Sequence, residues 1–176
     1  MKKIILYIAA SIDGYIADTH GTVEWLEDFP ITAEMNYGYD DFIASVDTIL
    51  MGGRSYREVL NMEVIDHYKN QQIYVITHGW TEKMTDNVDF ITDNIIERIQ
   101  QLRNSEGKDI WLFGGGEMTA MLLAADLVDE MQISYIPVIL GKGISLFPEQ
   151  HKESKWILTG STTYDSGILK VDYRKI

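Results

Sequence analysis

Short apolar runs alternate with helical patterns along most of this 176-residue chain, and that alternation constrains the fold more than any other feature. The apolar runs predict buried strands, because they are short, continuous and bounded by polar or turn-forming residues. They cover residues 4–10, 48–51, 73–77, 110–113 and 131–136. The helical patterns cover residues 34–46, 54–60, 94–103 and 117–127, and Asp93 is the expected N-cap of the third helix.

Strands that alternate with helices predict an α/β fold, with a central mostly parallel sheet and helices on both of its faces. The end of the chain has a different pattern. Segments 156–163 and 168–173 flank Asp165-Ser166-Gly167, which predicts a C-terminal antiparallel hairpin. Because no repeat or low-complexity linker interrupts the chain, we expect one domain over residues 1–176.

Composition excludes several classes of partner and of chemistry. A formal net charge of −12 disfavours nucleic acid and anionic membrane surfaces as partners. The absence of cysteine excludes disulfides and thiol chemistry, and the four histidines lack metal-site spacing, so we expect no metal. The apolar run after Lys2 and Lys3 is broken at residues 11–14 and is too short to span a membrane. We therefore expect a cytoplasmic protein whose first apolar run is a strand.

Two strand ends carry glycines directly before a helix. The first is Gly52-Gly53-Arg54-Ser55, and the second is Gly114-Gly115-Gly116-Glu117-Met118. Glycines let the backbone approach an anion, and a helix N-terminus directs unpaired N–H groups and its positive dipole end toward it. Either turn alone is equally well explained as a tight connection in which glycine relieves steric strain. Two of them in one small chain favour a site for a phosphorylated ligand.

A third strand end, Thr77-His78, offers a hydroxyl and an imidazole that could contact a further phosphate or a ribose. The alternative for this segment is a capped strand end with a surface histidine. Two familiar nucleotide motifs are absent. The glycines at 114–116 lack the last glycine of the G-x-G-x-x-G fingerprint, and Lys142 lacks the phosphate-loop glycine and hydroxyl residue around it.

Four segments, in the same order, carry a resemblance to a known family. They are 8–17 (Ile8-Ala9-Ala10-Ser11-Ile12-Asp13-Gly14-Tyr15-Ile16-Ala17), 49–56 (Ile49-Leu50-Met51-Gly52-Gly53-Arg54-Ser55-Tyr56), the turn Gly114-Gly115-Gly116, and 127–147 with Leu127-Val128-Asp129-Glu130 and Leu140-Gly141-Lys142-Gly143. The chain resembles the dihydrofolate-reductase-like superfamily. Within it, the chain is most similar to the reductase (C-terminal) domain of the bifunctional riboflavin-biosynthesis deaminase-reductase, RibD.

The resemblance implies that the chain binds NADPH. The glycine turns would hold its phosphate groups, and Arg54, Ser55, Thr77 and His78 match positions on the adenine side. Ala9 and Ile16 match positions beside the nicotinamide, with Asp13-Gly14 in the loop over it. A small side chain suits the first of these positions, because hydride transfer requires the reacting atoms to approach to about 3–3.5 Å. Plain core packing is the alternative explanation for Ala9 and Ile16.

The substrate side is less defined by the sequence. Dihydrofolate reductases carry one carboxylate on the helix after the first loop, and Glu34, Asp40 and Asp41 compete for that position here. A solvated acidic helix face explains at least two of them. The resemblance thus implies an NADPH-dependent reductase of a small heterocycle, similar to the 5-amino-6-(5-phosphoribosylamino)uracil reductase of riboflavin biosynthesis. A dihydrofolate reductase and a non-catalytic nucleotide-binding module are the alternatives.

We also expect a homodimer. Riboflavin-type relatives pair through this domain, and the resemblance is strong over residues 127–147. Segments 131–136 and 138–140 form a long apolar stretch, with Ile144, Leu146 and Phe147 beyond it. So much apolar surface in a small chain is typical of a contact between subunits. The alternative is that the terminal hairpin, residues 156–173, covers this stretch within the monomer.

Overall fold

A computed structural model describes residues 1–149 and 153–176 of the chain. The strands are Ile4–Ser11 (β1), Tyr15–Ala17 (β2), Val46–Gly52 (β3), Gln72–Ile76 (β4), Val88–Ile91 (β5), Asp109–Gly114 (β6), Glu130–Ile136 (β7), Ile144–Ser145 (β8), Trp156–Thr163 (β9) and Leu169–Lys175 (β10). The α-helices are Tyr39–Ser45 (α1), Gly53–Asn61 (α2), Ile95–Asn104 (α3) and Gly116–Ala124 (α4). Short 3₁₀ turns cover Glu24–Leu26 and Ile65–Tyr68.

Eight of the strands form a sheet in the order β5-β4-β3-β6-β1-β7-β10-β9. The first six in this order are mutually parallel, whereas β10 is antiparallel to both β7 and β9. β2 and β8 form a separate antiparallel pair. The predicted α/β class, with a mostly parallel sheet and a C-terminal antiparallel hairpin, is confirmed.

The helices cover both faces of the sheet, as predicted. On one face, which we call the α1/α2 face, Phe42 and Tyr56 pack with Ile49 and Trp111. On the opposite face, the α3/α4 face, residues such as Ile99 and Leu122 pack with strand residues that include Leu6, Leu50 and Leu112. The central strands are therefore buried on both sides, which explains why they are continuous apolar runs in the sequence.

Three sequence predictions need correction. The first helix of the sequence pattern does not begin at residue 34: Tyr37 (φ 55°) and Gly38 (φ 79°) are left-handed, so α1 begins only at Tyr39. At its other end, Val46 is already extended and belongs to β3. The N-cap of α3 is Asn94 rather than Asp93. The fourth helix ends at Ala124 instead of 127.

The sheet has a topological switch point between β3 and β6. These strands are neighbours, but β3 continues through α2 to β4 on one side, while β6 continues through α4 to β7 on the other. In open α/β sheets, ligands bind outside the carboxyl ends of the strands at such a point.

None of the helices in residues 1–149 and 153–176 has the length and apolar character needed to cross a lipid bilayer.

Candidate functional site

The two glycine turns singled out in the sequence lie side by side at the switch point. Met51 at the end of β3 pairs in register with Gly114 at the end of β6. The Ser55 hydroxyl oxygen lies 3.5 Å from the position that a Cβ on Gly115 would occupy. Similarly, Cγ of Met118 lies 3.5 Å from the Cβ position of Gly52. The starts of α2 and α4 are thus brought together at one edge of the sheet.

Both helix starts leave backbone donors without a side-chain cap. The N-cap of α2 is Gly52 and that of α4 is Gly115, and no side chain in the described ranges caps either one. The first-turn N–H groups of an α-helix have no partner within the helix, and the dipole adds partial positive charge there. Two uncapped N-termini next to each other can therefore hold two linked phosphate groups.

The second turn needs glycine for steric reasons as well. Gly114 and Gly115 have φ values of 113° and 93°, which side-chain-bearing residues rarely adopt. A Cβ on Gly116 would lie 2.7 Å from the Ser145 carbonyl oxygen. These glycines are therefore required by the tight turn itself. The same glycines also leave the backbone N–H groups open to an anion. Of the helix residues that follow, Glu117 is exposed and Met118 is buried in the core.

Arg54 is exposed at the first turn of α2, beside the loop that follows β2. Its Cδ lies 3.8 Å from the Cβ position of Gly21. No residue in the described part of the chain forms a hydrogen bond or an ion pair with its guanidinium group. At the neighbouring strand end, the Thr77 hydroxyl accepts the Gly79 N–H at 3.1 Å, and His78 is exposed. The structure therefore places Arg54 at a helix N-terminus with its charge available.

Thr77 also explains why the first turn carries a glycine at position 53. A Cβ on Gly53 would lie only 2.9 Å from the Thr77 hydroxyl oxygen. The strand ends of β3 and β4 are thus packed closely, and Thr77 lies against the beginning of α2. Thr77 and Gly53, which the sequence analysis assigned to two separate segments, are direct neighbours.

Asp13 has a role that the sequence analysis did not identify. Its carboxylate accepts the Ser11 hydroxyl at 2.6 Å and the backbone N–H groups of Leu140 and Gly141 at 3.1 and 2.7 Å. The Ser11 hydroxyl bond and those two N–H groups lower the pKa of Asp13 below its usual value. The segment Ser11-Ile12-Asp13-Gly14 therefore fastens the loop between β7 and β8 to the end of β1. A spacing rule could not reveal this contact, because its partners lie more than a hundred residues apart in the chain.

Ala9 and Ile16, predicted to lie beside a nicotinamide, have different surroundings. Ala9 is partly buried and belongs to the α1/α2 face of β1, as Tyr7 does. Ile16 is partly buried and packs against the core of the α3/α4 face. Ile16 therefore packs in the core. Ala9 lies instead on the α1/α2 face of β1, and β7 separates β1 from β10 of the C-terminal hairpin.

Next to Ala9, the α1/α2 face of the sheet becomes polar. Ser134 of β7 lies between Ala9 of β1 and Lys170 of β10 in the strand register. One step along the strands, Gln132 lies between Tyr7 and Asp172 in the same way. Residues directly opposite each other on paired strands project from the same face of a sheet. This face therefore carries a hydroxyl, an amide, an ammonium and a carboxylate, a set that sequence analysis missed.

Aromatic rings line this polar region. The Tyr7 ring stacks on Phe42 with centroids 4.0 Å apart, and the Lys170 ammonium lies 5.6 Å from the Tyr7 centroid. Tyr37 packs edge-on against Tyr164 at 5.0 Å. Burial raises the pKa of Tyr7, and the nearby Tyr164, Tyr39 and Asp172 raise it further. Tyr7 is therefore a neutral phenol at physiological pH.

The three carboxylates considered as catalytic candidates are all exposed. Glu34 lies in the loop before α1, and Asp40 and Asp41 lie in the first turn of α1. Asp40 accepts a hydrogen bond from the Asn36 amide at 2.9 Å. Their exposure fits a solvated acidic surface, and none of the three is a buried acid near Ala9.

Among the residues that the structure describes, no group of three or more His, Asp or Glu side chains could hold a metal ion.

Comparisons with known proteins match this arrangement. The sequence model of the RibD C-terminal domain matches residues 2–170. The uncharacterized protein YwjB of Bacillus subtilis (strain 168) is 34% identical over 167 residues, which cover 95% of each chain. The structure of a protein assigned to riboflavin biosynthesis in Shewanella sp. PV-4 superposes with a TM-score of 0.87 at 27% identity, over 99% of both chains.

A larger protein shares the fold. The diaminohydroxyphosphoribosylaminopyrimidine deaminase/5-amino-6-(5-phosphoribosylamino)uracil reductase of Thermotoga maritima superposes with a TM-score of 0.71 at 18% identity. The match covers 99% of the present chain but 57% of that protein. The fold of the present chain is thus shared with one part of that protein.

Proposed function

Because the chain belongs to the RibD C-terminal domain family, we propose that it is an NADPH-dependent reductase of a small heterocyclic substrate in riboflavin-type metabolism. The observation that carries the proposal is the meeting of the two glycine turns at the switch point, where Ser55 lies against Gly115. An acidic chain of net charge −12 has no general attraction for a polyanion. Uncapped helix starts supply the local attraction that such a ligand requires.

The residues present fit NADPH. The N–H groups at the starts of α2 and α4 would hold the pyrophosphate, since both helices lack side-chain caps in the described part of the chain. Arg54, exposed at the start of α2, would pair with the additional phosphate of the adenine-side ribose, with Ser55, Thr77 and His78 nearby. NADPH, when bound, supplies the hydride.

The chain itself would position the two reactants. Ala9 has a small side chain and is only partly buried, so a ring can approach the backbone of β1 closely. The loop between β7 and β8, held by Asp13, would flank the site. In this arrangement the protein contributes orientation and exclusion of water, while the cofactor contributes the redox chemistry.

The proposal is tested by fluorescence titration with NADPH and by following NADPH oxidation. We expect affinity in the micromolar range or tighter, and oxidation with 5-amino-6-(5-phosphoribosylamino)uracil or its dephosphorylated analogue. A chain that does not bind NADPH would contradict the proposal. Oxidation with dihydrofolate alone would instead identify a dihydrofolate reductase, and binding without oxidation of either substrate would favour a non-catalytic nucleotide-binding module.

A further inference from the structure

Lys170 and Asp172 are an unusual pair of charges on the α1/α2 face. They lie two residues apart on β10, and their side chains are 14% and 32% exposed. The Lys170 ammonium nitrogen lies 3.8 Å from Asp172 Oδ1, which is too far for a hydrogen bond. No other acceptor in residues 1–149 and 153–176 reaches that nitrogen, and Asp172 Oδ1 is buried without a donor. The pair thus holds an unused donor and an unused acceptor next to each other.

An arrangement of this kind is costly for a purely structural role. Charged groups that lose water are normally compensated by direct hydrogen bonds, and a buried polar atom without one destabilises the fold. Elsewhere in the chain, mostly buried lysines are satisfied: Lys2 donates to Asp47 at 2.7 Å and to Thr48 at 3.1 Å. Lys170 and Asp172 differ from that pattern, which points to an external partner.

The surroundings keep the Lys170 side chain in place without forming hydrogen bonds to it. The Tyr7 ring lies on one side, with its centroid 5.6 Å from the ammonium nitrogen. Gly38 lies on another, and a Cβ there would be 3.4 Å from that nitrogen. The absence of a side chain at Gly38 therefore leaves space at the Lys170 ammonium.

The position of the pair relative to Ala9 suits a flat ring. Ala9, Ser134 and Lys170 lie on three consecutive strands in register. Adjacent strands are about 4.8 Å apart, so the backbones at Ala9 and Lys170 are roughly 10 Å apart. A heterocycle held at one edge by Lys170 and Asp172 would extend across Ser134 toward Ala9, where the proposed hydride donor would lie.

Resting on the proposed reductase function, we infer that Lys170 and Asp172 bind the substrate ring through a lactam edge, a ring carbonyl next to a ring N–H. The ammonium would donate to the carbonyl, and the carboxylate would accept the N–H. A phosphate or carboxylate ligand would be repelled by Asp172, and a cation by Lys170. An uncharged edge with one acceptor and one donor satisfies both, replacing the long Lys170–Asp172 contact by two charge-assisted hydrogen bonds. The specificity-determining charges would thus lie on β10 instead of α1.

Lumazine and 1,3-dimethyllumazine test the inference on the unmodified protein. Both are flat bicyclic rings with the same carbonyls, but the dimethyl compound has no ring N–H on that edge. With the protein saturated with NADP⁺ and at a pH where lumazine is neutral, we expect lumazine to bind at least tenfold more tightly, as measured by its fluorescence. Equal binding of the two compounds, or no binding of lumazine, would overturn the inference.

Variants test the two residues separately. Asp172→Leu should remove the discrimination between the two compounds, because the N–H acceptor is gone, and Lys170→Met should weaken both compounds about equally. Arg174→Met is the matched control: Arg174 lies on the same strand and the same face, about 13 Å from Lys170, and should bind like the unmodified protein. Unchanged discrimination in Asp172→Leu would overturn the inference.

NADPH titration of the same proteins separates this inference from the proposed function. We expect each variant to retain NADPH affinity, because Lys170 and Asp172 lie away from both glycine turns. Normal NADPH binding without lumazine discrimination would reject the lactam site alone. Absent NADPH binding in the unmodified protein would reject the reductase, whatever lumazine does.

Discussion

Ser55 and Gly115 lie next to each other at the carboxyl edge of the sheet, with the Ser55 hydroxyl oxygen 3.5 Å from the position that a Cβ on Gly115 would occupy. One residue belongs to the first turn of α2 and the other immediately precedes α4. The contact links two helix starts that are far apart in sequence. A ligand that spans both starts would therefore be sensitive to any side chain added at Gly115.

Replacing Gly115 with valine should abolish measurable NADPH binding. Gly115 has a φ of 93°, so a β-branched residue would be strained there, and its methyl groups would crowd Ser55 and the backbone donors. Isothermal titration of the folded variant measures the loss. The matched control is Gly167→Val, which has a similar φ of 87° but lies in the β9–β10 turn, separated from β6 by β1 and β7; it should bind NADPH like the unmodified protein. If both variants bind NADPH like the unmodified protein, the phosphate-site assignment is wrong.

Arg54→Ala should reduce the preference for NADPH over NADH. The Arg54 guanidinium has no partner among the described residues and lies at a helix start, so its loss should cost about 1.5–3 kcal/mol, typical of a hydrogen bond to a charged group. The ratio of the two cofactor affinities is the measurement. Arg57→Ala, exposed on the same helix, is the control and should leave that ratio unchanged. A structural role for Arg54 would leave the ratio unchanged in both variants.

The sequence was most informative where local chemistry determines structure. The glycine turns at 52–53 and 114–116 were located correctly at strand ends, because a strand followed by glycine and a helix is a local pattern. The sequence also predicted five of the six parallel strands. It missed β5, Val88–Ile91, since four residues with Asp89 among them give neither a long apolar run nor a clear alternation.

Features that depend on distant residues could not be predicted in this way. The Lys170 ammonium and Asp172 Oδ1 have no hydrogen-bond partner among the described residues, and their position follows from the pairing of β10 with β7 and from that of Tyr7 on β1. Glu34, Asp40 and Asp41 are the catalytic candidates of the sequence analysis, because dihydrofolate reductases carry a carboxylate on the helix after the first loop. In the structure, α1 begins only at Tyr39, and all three carboxylates are exposed.

Asp13→Asn should destabilise the protein in a pH-dependent manner. Hydrogen bonds, first from Ser11 and then from Gly141 and Leu140, lower the pKa of Asp13 in the folded state. A lowered carboxylate pKa stabilises the folded state above the unfolded pKa of about 3.9, and this contribution is lost as the pH falls through the folded pKa. Urea unfolding should therefore show a constant difference between the two proteins near neutral pH that shrinks below about pH 4. A difference independent of pH would mean that the charge of Asp13 does not matter.

The homodimer prediction rested on apolar residues that the structure partly accounts for within one chain. Met131, Ile133 and Ile136 are buried, and β10 pairs with the strand that carries them. Met131 and Ile133 pack in the core of the α3/α4 face, where Leu122 of α4 and Val171 of β10 also lie. Other apolar side chains stay exposed: Ile12 (59%) follows β1, Ile139 (72%) follows β7, and Leu158 (53%) and Leu169 (39%) lie on β9 and β10.

We therefore propose a homodimer through β9 and its neighbours rather than through β7. β9 is the last strand of the sheet, and an edge strand with exposed apolar residues can pair with a second copy of the chain. Light scattering at low micromolar concentration should give the mass of two chains, and Leu158→Glu should reduce it to one, because a charge would be desolvated in the interface. Ile31→Glu is the control, since Ile31 is similarly exposed (55%) on the loop before α1. A one-chain mass for the unmodified protein would refute the dimer, and dissociation by the control variant would place the interface elsewhere.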